Sequence, residues 1–236
     1  MAANATADSW RKLERDLRGC SACKRLARWR VAAVDHAPRA VRGEEYWARP
    51  VPGFGDERAR ILVLGLAPGA HGANRTGRPF TGDGAGPFLY GALHRAGLAS
   101  APTSTARDDG LRMHEARITN AVRCAPPGNR PTPAEIARCF PFVQRELDLA
   151  GETRVILCLG AIAWTAGLRL LRERGNDLPR PLPRFGHGAE LVFAAPTPAL
   201  IASFHPSQLN TRTGRLTAAM FERVVRRACE LAARSN

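Results

Sequence analysis

The sequence predicts an α/β fold: a three-layer α/β/α sandwich around a central, mainly parallel four-stranded sheet. Two observations carry this expectation. Four short apolar runs, at residues 60–65, 116–122, 154–160 and 198–203, are bounded by turn residues, as strands buried on both faces are. Helical stretches follow these runs, and strands alternating with helices imply a parallel sheet covered on both sides.

The elements follow in order. Residues 8–19 read as an amphipathic helix leading into the turn Cys20-Ser-Ala-Cys23. Residues 34–58, with Pro38, Pro50, Pro52, Gly53 and Gly55, lack sustained periodicity and read as a loop. The first strand, 60–65, opens a Gly-rich loop, and a helix over 87–96 then starts with Pro87 and stops before Gly97. After a small polar excursion at 99–110 comes the second strand. Thr132-Pro-Ala-Glu135 is a capping box that starts a helix to about residue 149. The third strand runs directly into a helix over 161–172, and the fourth is followed by a helix over 216–233. No internal repeat is apparent, so residues 1–236 read as a single domain whose N-terminal segment joins the cysteine site.

Composition narrows the function. Hydrophobic residues make up 44% of the chain, enough for a core, which excludes a disordered protein. No apolar run approaches the roughly 20 residues that span a bilayer. The N-terminus lacks the basic-then-apolar order of a signal peptide, so a cytoplasmic, nucleoid-associated protein without a membrane partner is expected. A net charge of +14 points to a polyanionic partner. Only Lys12 and Lys24 are lysines. A GC-rich coding sequence explains that preference for arginine, but not the excess of positive charge.

Three loops, 65–86, 123–130 and 205–214, leave the carboxyl ends of predicted strands, where open α/β sheets build their sites. Cys20 with Cys23, and Cys124 with Cys139, supply two ligand pairs, the number that a tetrahedral metal or an Fe–S cluster needs. The alternative is unrelated buried cysteines, which is also the reading for Cys158 and Cys229. The segment Gly65-Leu-Ala-Pro-Gly-Ala-His-Gly72 can aim backbone N–H groups at an anion or a carbonyl oxygen. It lacks the Walker ending and the dinucleotide spacing. His205 directly follows a strand, and Ser207, Gln208, Asn210 and Arg212 beyond it suit phosphates. Leu209 is then a candidate wedge between bases.

Gly65-Leu-Ala-Pro-Gly, Phe80, Ile118-Thr-Asn-Ala-Val122 and His205-Pro-Ser-Gln-Leu209 together resemble the ordered motifs of the uracil-DNA glycosylase superfamily. The cysteine pairs and Arg123-Cys-Ala-Pro-Pro-Gly-Asn-Arg130 resemble its iron–sulfur branches, and Ala67 with the stretch after His205 resembles family 5. The resemblance covers residues 20–217, approximately. It implies a monofunctional glycosylase of base excision repair. Such an enzyme flips uracil and other deaminated bases out of DNA, most readily at a mispair in duplex, and cuts the N-glycosidic bond. It also implies a monomer with a [4Fe–4S] cluster on Cys20, Cys23, Cys124 and Cys139.

By the same resemblance Phe80 stacks on the base and Asn120 reads its edge. His205 and the backbone of Leu66 and Ala67 stabilise the departing ring. The best-known branch has a water-positioning Asp where this chain has Ala67. Asp83 is the candidate substitute, with Asn120 or Asn74 as others, and an ordinary turn residue is the alternative reading of Asp83. His71 is expected to orient the loop. The rival functions are a non-catalytic metal-containing DNA-damage sensor and a redox-responsive nucleic-acid-binding regulator.

Overall fold

A computed structural model describes residues 8–234. In chain order these form α1 (Trp10–Arg18), α2 (Lys24–Ala32), β1 (Phe54–Gly55), β2 (Ile61–Gly65), α3 (Ala73–Thr76), α4 (Gly86–Arg95) and β3 (Ala116–Asn120). They continue with α5 (Pro133–Ala150), β4 (Val155–Leu159), α6 (Ala161–Glu173), β5 (Glu190–Leu191), β6 (Ala199–Ser203), α7 (Gln208–Arg212) and α8 (Ala218–Ala233).

The four expected strands form the parallel centre of the sheet, in the order β3-β2-β4-β6. The sheet is larger and more mixed than the four-stranded expectation. β1 and β5 add antiparallel edges, giving the order β1-β3-β2-β4-β6-β5. Strands of two residues leave no periodic signal: β1 lies in the 34–58 segment that reads as a loop, and β5 in a stretch given no element. Short edges of this kind also limit pairing with another chain.

Alternation along each strand builds two cores. Ile61, Val63, Ile118, Leu157 and Ile201 pack with Leu89 and Leu93 of α4 and Phe221 and Val225 of α8. Leu62, Leu64, Ile156, Cys158 and Leu200 pack with Phe140 and Val143 of α5 and Trp164 and Leu171 of α6. The three-layer architecture follows from this division. Cys158 is fully buried in the second core, as expected.

The capping box forms as read: the Thr132 hydroxyl accepts from the Glu135 N–H, and the Glu135 carboxylate accepts from the Thr132 N–H. α2 is an element that the sequence reading missed. Four of the nine residues in its sequence KRLARWRVA are basic, and Leu26 is its one buried residue. Below β3, Glu146 of α5 is buried against Arg117 and Arg123, and the Thr119 hydroxyl donates to it. Burial opposes its ionisation, but the two guanidinium groups outweigh that and hold the carboxyl below its ordinary range.

Candidate active site

The parallel strands β2, β3 and β6 end at the same edge of the sheet, and their loops border a cavity of about 650 Å³. That volume suits a small molecule or an extruded base. Leu66, Ala67, Phe80, Asp83, Asn120, His205, Ser207, Gln208 and Leu209 all line it, so most of the expected site residues come together in one place.

The floor is set by close packing. Gly65 and Asn120 are partners across β2 and β3. A Cβ on Gly65 would lie 2.3 Å from Asn120 Oδ1 and 2.9 Å from Phe80 Cζ, so the absence of a side chain there lets both groups approach. Asn120 is only 3% exposed, and its Oδ1 has no hydrogen-bond partner among the described residues. A buried amide oxygen without a donor costs free energy, on the order of 1–3 kcal/mol. An N–H of a bound molecule would recover it.

Phe80 adopts φ +52°, a backbone conformation that a bulky residue takes only when its surroundings impose it. Those surroundings are visible. The Tyr90 hydroxyl donates to the Pro79 carbonyl at 2.8 Å, and Thr81 Oγ1 shares a hydrogen bond of 2.7 Å with Ser104 Oγ. Arg78 donates to Ser104 and, at 2.6 Å, to Asp109. Burial works against the Asp109 carboxylate, yet Arg78 and three backbone N–H groups hold its pKa at about 2. The polar excursion at 99–110 thus anchors the aromatic ring of the pocket, a role its sequence gave no sign of.

The His205 ring lies 5.7 Å from that of Phe80, tilted by 30°. Burial pushes its pKa below the ordinary 6.5, and the negative charge of Asp83 only partly opposes this. The imidazole is therefore neutral near pH 7 and has one N–H to donate. Asp83 is half-buried. Its Oδ1 accepts from the N–H groups of Ala85 (2.9 Å) and Gly86 (3.2 Å), which is the ordinary turn role. A Cβ on Gly72 would meet Oδ2 at 2.5 Å, which places this second oxygen against the Gly-rich loop.

Around the rim, the Ser207 hydroxyl caps α7, and Leu209 stands out with 73% exposure. Gln208 lies over Gly84, whose Cβ would meet its Nε2 at 2.0 Å. Arg212 is exposed. Asn210 turns inward instead, its Nδ2 donating to the His205 carbonyl at 2.8 Å, and so it braces the histidine. Asn74 also faces away from the reacting space. It is fully buried, and its Nδ2 donates to the carbonyls of Arg30 and Ala70. Two further groups line the cavity, and the sequence reading gave the first no role. This is Asn129, at φ +56°. His71, expected to orient the loop, lines the cavity as well, and its Nδ1 is held 3.0 Å from the Tyr46 hydroxyl.

The four cysteines line a second, smaller pocket beside β3 together with Leu26, Arg30, Arg138 and Phe142. Arg30 donates to Cys124 Sγ at 3.1 Å, and the Arg123 N–H to Cys139 Sγ at 3.2 Å. Burial pushes the Cys23, Cys124 and Cys139 thiols up, Cys139 to about 12. Among the described residues no group of three or more His, Cys, Asp or Glu has the arrangement of a metal site. The donor set nevertheless suits a soft metal: four sulfurs share one pocket, and N–H groups point at two of them.

Comparison with known proteins bears on this arrangement. The family model described as the uracil DNA glycosylase superfamily matches residues 52–229. A Type-5 uracil-DNA glycosylase of Thermus thermophilus is 52% identical over 219 residues, covering 92% of this chain and 95% of the relative. One from Mycobacterium tuberculosis is 50% identical over 214 residues, covering 90% and 78%. A third, from Pyrobaculum aerophilum, is 44% identical over 209 residues, covering 89% and 87%. With a family match over residues 52–229 and relatives of about 50% identity over most of its length, the chain belongs to the uracil DNA glycosylase superfamily.

Proposed function

We propose that this chain is a monofunctional DNA glycosylase that removes uracil and other deaminated bases, leaving an abasic site. Uracil-DNA glycosylase is the activity named for its Type-5 relatives. The observation that carries the reading on this chain is Asn120, a buried amide whose Oδ1 lacks a donor among the described residues, beside the ring of Phe80, whose backbone is held at positive φ. An extruded uracil stacked on Phe80 offers its N3–H to Oδ1 and its O4 to the Asn120 amide N–H. Extrusion costs a few kcal/mol and costs less at a mispair, which favours a deaminated base in duplex DNA as substrate.

Cleavage leaves the base with negative charge and the sugar with positive charge. Neutral His205 donates its N–H to a base carbonyl as that negative charge grows, and the backbone of Leu66 and Ala67 borders the same space. Ala67 has no carboxylate to hold water. Asp83 Oδ2 is the candidate for that role, because Oδ1 is committed to the turn. The cavity is wider than a pyrimidine needs, which suits hypoxanthine as a further substrate.

Cys20, Cys23, Cys124 and Cys139 are the residues that would hold a [4Fe–4S] cluster. Bound there, the cluster would serve to fix the N-terminal segment and the 123–130 loop, since glycosidic hydrolysis transfers no electron. The protein acts as a monomer on DNA. A damage sensor or a redox regulator has no need of Phe80, Asn120 and His205 around one cavity. No helix of the described residues is long and apolar enough to cross a membrane.

Single-turnover excision from labelled duplexes containing U, hypoxanthine or C, followed by alkali, tests the function. Alkali-dependent cleavage at U and hypoxanthine, lost in Asn120→Ala, is expected; absence of an abasic product would overturn the assignment. Iron and acid-labile sulfide in anaerobically purified protein test the cluster, and one zinc with no iron would exclude it.

A further inference from the structure

Next to His205 in the chain, a cluster of aromatic rings carries an arginine over one of its faces. Phe204, the residue after β6, has the His187 ring at 5.2 Å and the Phe185 ring at 6.0 Å. Its N–H donates to His187 Nδ1 at 3.2 Å, which fixes the imidazole. The Arg215 guanidinium lies over the Phe204 ring at 4.8 Å. Arg223 of α8 is close enough to add to burial in holding the His187 pKa below its ordinary value. Arg184 directly precedes Phe185 in the chain.

The charges here are not neutralised. Arg184, Arg215 and Arg223 are exposed, and none forms an ion pair among the described residues. The neighbouring carboxylates are committed elsewhere: Glu222 to Arg95, and Glu190 to Arg227. Other arginines of this chain, such as Arg25, Arg75, Arg78 and Arg145, do have carboxylate partners. Unpaired guanidinium groups beside one cluster, Arg215 over Phe204 and Arg223 near His187, repel each other, and an anionic partner would relieve that. Arg215 is also oriented by its ring contact, so less freedom is lost when it binds.

We infer that Arg184, Arg215 and Arg223, set around the Phe185–Phe204–His187 stack, form a second contact with the DNA backbone, holding phosphates of the duplex that flanks the extruded nucleotide. The patch is continuous with the rim of the cavity, because Phe204 adjoins His205 and Arg215 follows α7 by three residues. The inference rests on the glycosylase reading for the identity of the polyanion. It extends the interface beyond Ser207–Arg212 to a surface that reads no base and sets affinity rather than chemistry.

The test is the salt dependence of binding to a duplex with a central abasic-site analogue. Anisotropy would be measured from low to physiological salt for the wild type, Arg215→Ala, Arg223→Ala and the double variant. Removing one cation that neutralises a phosphate lowers the slope of log K against log salt by about 0.9. The double variant should therefore lose roughly 2 in slope, and Arg215→Lys should restore part of it. Arg174→Ala is the control, since Arg174 pairs with Asp148 away from the cavity. An unchanged slope in the double variant, or an equal fall in the control, would overturn the inference. Circular dichroism melts identify any variant that fails to fold, and the Arg→Lys pair then decides. Base release by the wild-type protein is scored separately, so failure of the glycosylase reading and failure of this surface give different results.

Discussion

The two loops that face each other across the cavity are built on opposite plans. The 66–86 loop, rich in Gly and Pro, is tied down by three consecutive side chains. Thr76 Oγ1 donates to the carbonyls of Gly72 and Thr81, Arg75 to those of His71 and Gly82, and Asn74 to those of Arg30 and Ala70. The 205–214 segment has local bonds only: the Ser207 cap, the Asn210 brace and threonine hydroxyls bonded within α7. Its outer side chains, Gln208, Leu209 and Arg212, are exposed. The first plan fixes the groups that read the base before the base arrives, so no ordering cost falls on the reacting complex. The second leaves the DNA-gripping side chains solvated, free to meet phosphates and stacked bases wherever the duplex presents them.

Substitutions can break this contrast. The largest effect is expected at His205, the group of the exposed segment whose ring lies beside that of Phe80. His205→Ala should lower the single-turnover excision rate about 10²–10³-fold, the usual loss when one preorganised donor is removed, while abasic-DNA affinity changes little. An unchanged rate would take the leaving-group role from His205. Next comes Gly65→Ala. Its Cβ would displace Asn120 and Phe80, and misplacement of about 1 Å costs on the order of 10²-fold. Its melting temperature should fall less than its rate does, and the reverse would make the glycine a purely structural requirement.

A smaller effect is expected in the locally held segment. Ser207→Ala removes the cap of α7 and should cost about 1 kcal/mol in a local opening seen by hydrogen exchange. The 66–86 amides should keep their protection; loosening of both loops together would erase the difference between the two plans. The smallest effect is on pH. His71, His187 and His205 all have their pKa values lowered from 6.5, chiefly by burial. The folded state then binds fewer protons than the unfolded chain, so their contribution is complete above 6.5 and is lost as pH falls below it. Urea midpoints should decline on acidification from pH 7, and less steeply in His187→Gln.

Much of this was legible in the sequence. The four central strands announced themselves because each is a short apolar run buried on both faces, and the pocket residues because they lie at the ends of those runs. The short edges, α2 and the small helices α3 and α7 were not legible, since a few residues carry no period. Nor were the pairings that complete the site. Tyr46 with His71, and Arg78 with Ser104 and Asp109, join segments 25 to 31 residues apart through polar contacts with no fixed spacing. Asp83 could be read from sequence as a turn residue or as a catalytic one, and its two oxygens show how one carboxylate can serve both demands.

Asn74 carries a consequence for where this protein can be cut. The span matched by the family begins at residue 52, yet the pocket loop leans on the carbonyl of Arg30, twenty-two positions earlier. Arg30 in turn reaches Cys124 and the Cys20 carbonyl. A fragment trimmed to the family boundary would keep every base-reading residue and lose the peg that holds their loop. Shortened versions of this chain should therefore retain the segment that carries Cys20 and Arg30.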